Sequence, residues 1–71
     1  MLNEKLLQSN VLRRIYKDST FEAAQLSAQW TSAGLAGNVE AAARFFAESE
    51  AHAQTARLAR EELTKRGEAL R

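Results

Sequence analysis

Cysteine and proline are both absent from the 71 residues, and glycine occurs three times. Without cysteine there is no disulfide framework and no cysteine-based zinc site. The longest apolar runs are a few residues, so neither a transmembrane helix nor a signal peptide is expected. β-branched residues are scarce: Val11, Val39, Ile15 and four Thr. No Asn-Gly or Asp-Gly turn occurs and no stretch alternates with period two, so no sheet is expected. What is present is 45% apolar residues, of which fourteen are Ala. Much of the apolar content is therefore side chains of a single methyl. A chain this short buries only about 60% of its unfolded surface, which makes a lone monomer marginal.

Alanine, leucine, glutamate, arginine and glutamine dominate, and all favour helix. The pattern predicts an all-α chain with one domain, 1–71, and helices over about 2–17, 20–34 and 38–69. In the first, Leu7, Val11 and Ile15 recur every four residues, and Leu12 and Tyr16 widen the face. Leu2 and Leu6 carry the apolar surface further round. Ser19-Thr20-Phe21-Glu22 reads as a capping box, which places a helix start after a break at Asp18-Ser19-Thr20. The second helix is apolar on two sides, with Ala23, Leu26, Trp30 and Ala33 on one and Phe21, Ala24, Ala28 and Leu35 on the other. Such a helix normally lies between two neighbours.

Gly34-Leu35-Ala36-Gly37-Asn38 is the strongest punctuation. Gly34 or Gly37 suits the left-handed residue that ends a helix, and Asn38 suits an N-cap. Gly37-Asn38-Val39-Glu40-Ala41-Ala42, followed by Phe45-Phe46, resembles the start of the second helix of a tetratricopeptide repeat. That likeness covers about ten residues and implies a tight αα-hairpin, not a solenoid, which needs about three repeats. The third helix has only Gly67 as a weak point and would reach about 45 Å. One of its rows is Ala42, Phe46, Ser49, Ala53, Ala56, Arg60, Leu63, Gly67 and Leu70. A neighbouring row is Phe45, Ser49, His52, Ala56, Ala59 and Leu63. Both are rich in small residues.

A helix of that length outreaches the two before it. Its outer half then needs cover, because an isolated helix is marginal in water. The expectation is a helical hairpin or three-helix arrangement completed into a bundle by self-association. A groove on another protein, or a compact monomer, are the competing solutions. The residues expected at such an interface are Leu2, Leu6, Tyr16, Phe45, Ala56, Leu63 and Leu70, with Arg13, Arg14, Arg57 and Arg60 as rim charges. Trp30 and Phe46 are expected in the core.

Catalytic chemistry finds little to work with. His52 is the one imidazole, and the position three before it is Ser49, not the Glu of a di-iron motif. A serine nucleophile would need His52 as its base and an orienting acid. Gly34-x-x-Gly37 lacks the Lys and the preceding strand of a phosphate loop. No cofactor, metal or small-molecule substrate is expected. Charge is uneven: +3 over residues 1–17, −4 over 18–50 and +2 over 51–71. Basic patches at both chain ends could attract nucleic acid. Residues 38–44, with Val, Glu and three Ala, are poor base readers. The basic ends and acidic middle could instead set the register between two copies, or neutralise contacts between the chain's own helices. The expectation is a small cytoplasmic, non-catalytic regulator, adaptor or inhibitor that binds itself and another protein.

Overall fold

The computed structural model describes residues 3–68. They form a short 3₁₀ turn over Glu4–Leu6 and two α-helices, α1 (Ser9–Leu35) and α2 (Val39–Lys65), packed against each other. No strand occurs among the described residues. The three-helix arrangement does not form, because α1 runs straight through Asp18-Ser19-Thr20. A capping box would need Ser19 outside the helix, with its hydroxyl turned to the backbone. Ser19 is instead buried where α2 covers it, at 8% exposure. Asp, Ser and Thr inside a helix cost about half a kcal/mol each relative to Ala. Continuous packing along one seam outweighs that cost.

The long C-terminal helix is likewise not found. Both helices span 27 residues, about 40 Å each. They also end in the same way. Gly37 and Gly67 take φ of +79° and +70°, the left-handed region that a side chain makes strained. The N–H groups of Asn38 and Glu68 return to the Ala33 and Leu63 carbonyls, both at 2.9 Å. The glycine N–H groups reach Gly34 and Thr64, at 3.1 and 3.0 Å. These paired bonds are the Schellman closure, which satisfies carbonyls that a helix end leaves open. Gly67 is thus a stop for α2 and not a weak point within it. Asn38 caps α2, its Oδ1 accepting from the Ala41 N–H at 3.1 Å. Residues 36–38 are the whole connection, so α2 returns antiparallel beside α1.

The seam repeats every seven residues on both helices. On α1 it holds Leu12, Ser19, Leu26 and Ala33, with Tyr16, Ala23 and Trp30 between them. On α2 it holds Ala42, Ser49, Ala56 and Leu63, with Phe45, His52 and Ala59 between them and Arg66 continuing the row at the C-cap. All of these are buried or half-buried except Trp30. That 4-3 spacing is the pattern of a coiled coil, here between two arms of one chain. Of the two rows read on the last helix, the one through Phe45, His52 and Ala59 turns inward. Phe46, Ala53 and Arg60 stay outside.

The seam is unequal along its length. At the end away from the turn, Leu12, Ala59 and Leu63 are fully buried, with Leu7, Ile15 and Tyr16 packed on them. Each buried Leu is worth about 2 kcal/mol. The middle is small: Ser19, Ala23, Ser49 and Ala56. There the helices approach closely enough for the Ser49 hydroxyl to donate to the Ala23 carbonyl at 3.1 Å. Arg66 clasps the open end. Its guanidinium donates to Glu62 at 2.9 Å, to the Ser9 hydroxyl at 3.1 Å and to the Glu4 carbonyl at 3.1 Å. Ser9 in turn donates to the Glu68 carboxylate. The 3₁₀ turn is thereby tied to the last turn of α2.

The resulting body measures 44 × 22 × 14 Å. One helix with side chains is about 10–12 Å across, so the molecule is two helices wide and one thick. Its radius of gyration is 14.2 Å, against about 11 Å for a compact chain of this length. Its accessible surface is 5152 Å², against roughly 4,400 Å² for a compact monomer of this mass. Most domains close a core between two layers. This one has a single layer.

Candidate interaction surface

The interface residues expected from the sequence fall into separate places. Leu2 and Leu70 lie outside the described residues. Leu6 stands on the 3₁₀ turn at 80% exposure. Ala56 and Leu63 face α1 and are closed inside the hairpin. They hold the two arms of one chain together, because the α2 register turns their row inward; Leu63 is closed off entirely, and Ala56 shows only an edge. Phe45 is half-buried, with the Arg44 guanidinium 5.7 Å above its ring. It borders an open groove with Gln29, Ala33 and Ala41 near the turn.

Tyr16, Arg57 and Arg60 do come together. With Thr20, Glu50 and Ala53 they wall a groove of about 400 Å³ whose floor includes Ala56. Arg57 also faces Glu61 at 3.9 Å, one turn on. Arg13, which is half-buried, and exposed Arg14 border a smaller pocket with Asn10, Lys17 and Asp18.

Trp30 and Phe46 are not core residues. They remain 40% and 46% exposed. Their rings stack on each other across the hairpin, 5.3 Å between centroids and tilted by 54°. Phe46 lies one and two heptads before Ala53 and Arg60, and Trp30 lies two heptads after Tyr16. Residues seven apart share a helix face. The aromatic pair and the groove therefore occupy one broad face, with the pair toward the turn and the groove toward the open end. Phe45 is about 100° round α2 from Phe46 and opens on the other side. Phe21 is 60% exposed on the back of α1, and Leu35 and Val39 stand 87% and 77% exposed at the turn. The two-sided apolar pattern of residues 20–34 splits accordingly: the side with Ala23, Leu26 and Trp30 meets α2, and the side with Phe21 and Leu35 stays exposed.

Antiparallel folding sorts the charge. Chain segments that are basic in sequence end up side by side. They are not neutralised by the acidic middle. Residues 3–20 and 55–68, the open half, carry eight cations and five anions. Residues 21–54, the turn half, carry one cation and four anions. The molecule is a rod with a charge of about +3 at one end and −3 at the other.

His52 sits half-buried in the seam. Among the described residues, no group of three or more His, Asp or Glu is placed to hold a metal ion. No described helix is long and apolar enough to cross a membrane. No protein-family model matches the chain, and no curated protein or solved structure is similar to it.

Proposed function

We propose that the chain is a small, non-catalytic cytoplasmic protein that works by protein–protein association, as a helical homo-oligomer that serves an adaptor, inhibitor or regulator role. The observation that carries this reading is the single-layer body with an exposed aromatic face. Trp30 and Phe46 on that face, with Phe21 on the back of α1 and Leu35 and Val39 at the turn, are large apolar side chains left open on a chain that has few of them. Large aromatics are common interface anchors. A second hairpin laid on the first would make a four-helix bundle and supply the missing layer. The test is mass in solution. Sedimentation equilibrium at 10–100 µM, the range of ordinary weak dimers, should give at least twice 7.9 kDa. A monomer across that range would sink the reading.

One observation favours a second reading. Folding gathers Arg13, Arg14, Lys17, Arg57 and Arg60 at one half of the rod, a density of cations that suits phosphates. Fluorescence anisotropy with a short duplex DNA and a single-stranded RNA separates the two. Nucleic-acid binding would appear at low salt and fall steeply as salt rises. A flat titration at low salt removes it.

A further inference from the structure

Resting on the self-association reading, we propose that the partner is a second copy of this hairpin, turned end for end. The Trp30–Phe46 pair of each copy then sits over the Tyr16–Arg60 groove of the other. Three observations argue for this orientation.

The first is position. The midpoints of α1 and α2 are Glu22 and His52. Tyr16 lies six residues from its midpoint toward the open end, and Phe46 lies six residues from its midpoint toward the turn. Arg60 lies eight residues out toward the open end, and Trp30 eight toward the turn. A copy rotated by 180° about that centre, face to face, brings Phe46 to the level of Tyr16 and Trp30 to the level of Arg60. The same operation applied to the other copy makes the same two contacts, as a two-fold interface requires. Such an axis lays α1 over α1 and α2 over α2, so these residues meet across the seam rather than directly above one another; aromatic–tyrosine and guanidinium–indole contacts are both favourable.

The second is charge. Arg57 and Arg60 line the groove, and Arg13, one heptad before Thr20, shares its face. Side-by-side copies in parallel would press these cations against their own images, which is costly at an interface. The end-for-end arrangement sends the two clusters to opposite ends and sets each over the other copy's acidic half. Glu50 and the second copy's Arg57 then come within three residues of the same level, about 4.5 Å along the axis.

The third is area. A face of 44 × 22 Å offers at most about 970 Å², enough for the roughly 800 Å² per partner of a stable interface. The bundle formed would be about two helices deep, the thickness at which a hydrophobic layer closes.

The absence of cysteine makes the test simple. A single spin label at Ala36→Cys, on the turn, reports orientation by electron–electron distance measurement, while sedimentation reports mass. A dimer with turns about 40 Å apart is the expected result. A dimer with turns within about 20 Å would overturn the end-for-end arrangement and leave self-association standing. A monomer would overturn both. An independent arm is Arg57→Glu with Arg60→Glu, both exposed positions, with helicity checked by circular dichroism. The double substitution should weaken the end-for-end dimer by about tenfold or more. Tighter association would point to parallel copies and overturn the proposal.

Discussion

Leu63 and Gly37 show two different ways in which one residue holds this molecule. Leu63 works by burial. It is fully enclosed, with Leu12 and Ala59 against it. Leu63→Ala should cost about 3 kcal/mol, and a thermal melt followed by circular dichroism should show the transition collapse. Phe21→Ala, at an exposed position on the back of α1, should move stability by no more than about half a kcal/mol in the monomer. Gly37 works by conformation. Nothing lies within 4 Å of where its Cβ would stand, yet its φ of +79° makes any side chain strained. Gly37→Ala should therefore destabilise by about 1 kcal/mol. Gly34 has equal room but is helical, so Gly34→Ala should stabilise by up to about 1 kcal/mol. Opposite signs in paired urea melts test the assignment of the turn. The same sign for both would contradict it.

The continuity of α1 is a claim about an element, and Ser19→Ala decides it. Were Ser19 an N-cap between two helices, its loss would cost about 1 kcal/mol. Inside one helix, Ala is the better residue, and the change should be neutral or stabilising by a few tenths of a kcal/mol. Arg66 tests the other end. Arg66→Ala removes the donor to the Glu4 and Lys5 carbonyls. Hydrogen exchange over residues 4–7 should then quicken, while α1 and α2 keep their helicity. The elements also show what could be read in advance. The turn was legible because a left-handed residue followed by a cap demands Gly-Asn, and Gly37-Asn38 supplies it. The all-helical character was legible from the Ala, Leu and Glu content. The unbroken α1 was not. Its heptad row passes through Ser19 and Ala33, which are too small or too polar to register as an apolar stripe, whereas Ser19 and Glu22 together mimic a start signal. The tertiary seam outweighed a local signal worth about 1 kcal/mol. The groove is half legible: the sequence marks Tyr16, Arg57 and Arg60 as surface residues. Trp30 and Phe46 read as core in the sequence because apolar periodicity marks a face without saying whether anything lies against it.

At the scale of the whole molecule, thinness governs behaviour. A single layer gives marginal stability alone, so association and folding should be linked by mass action. The melting temperature should rise by several degrees between about 5 and 500 µM protein. A melting point independent of concentration would show the hairpin to be sufficient by itself. Because the two halves carry opposite charge, the association should weaken with added salt more than the net charge of +1 would suggest.

The largest buried cluster lies at the open end, as far from the turn as the chain allows. That placement has a kinetic consequence. Closing the three-residue turn constrains the backbone least, so contact formation should proceed outward from Gly37 through the small middle of the seam. The leucines that secure the fold then join late, and the clasp of Arg66 on the N-terminal segment follows them. Substitutions at Leu12 and Leu63 should therefore act mainly by speeding unfolding, and those at Gly37 and Asn38 by slowing folding. A chain assembled in that order forms its Trp30–Phe46 pair early and its Tyr16–Arg60 groove only as the leucines close beside it, so docking of a second copy waits on the last step of folding.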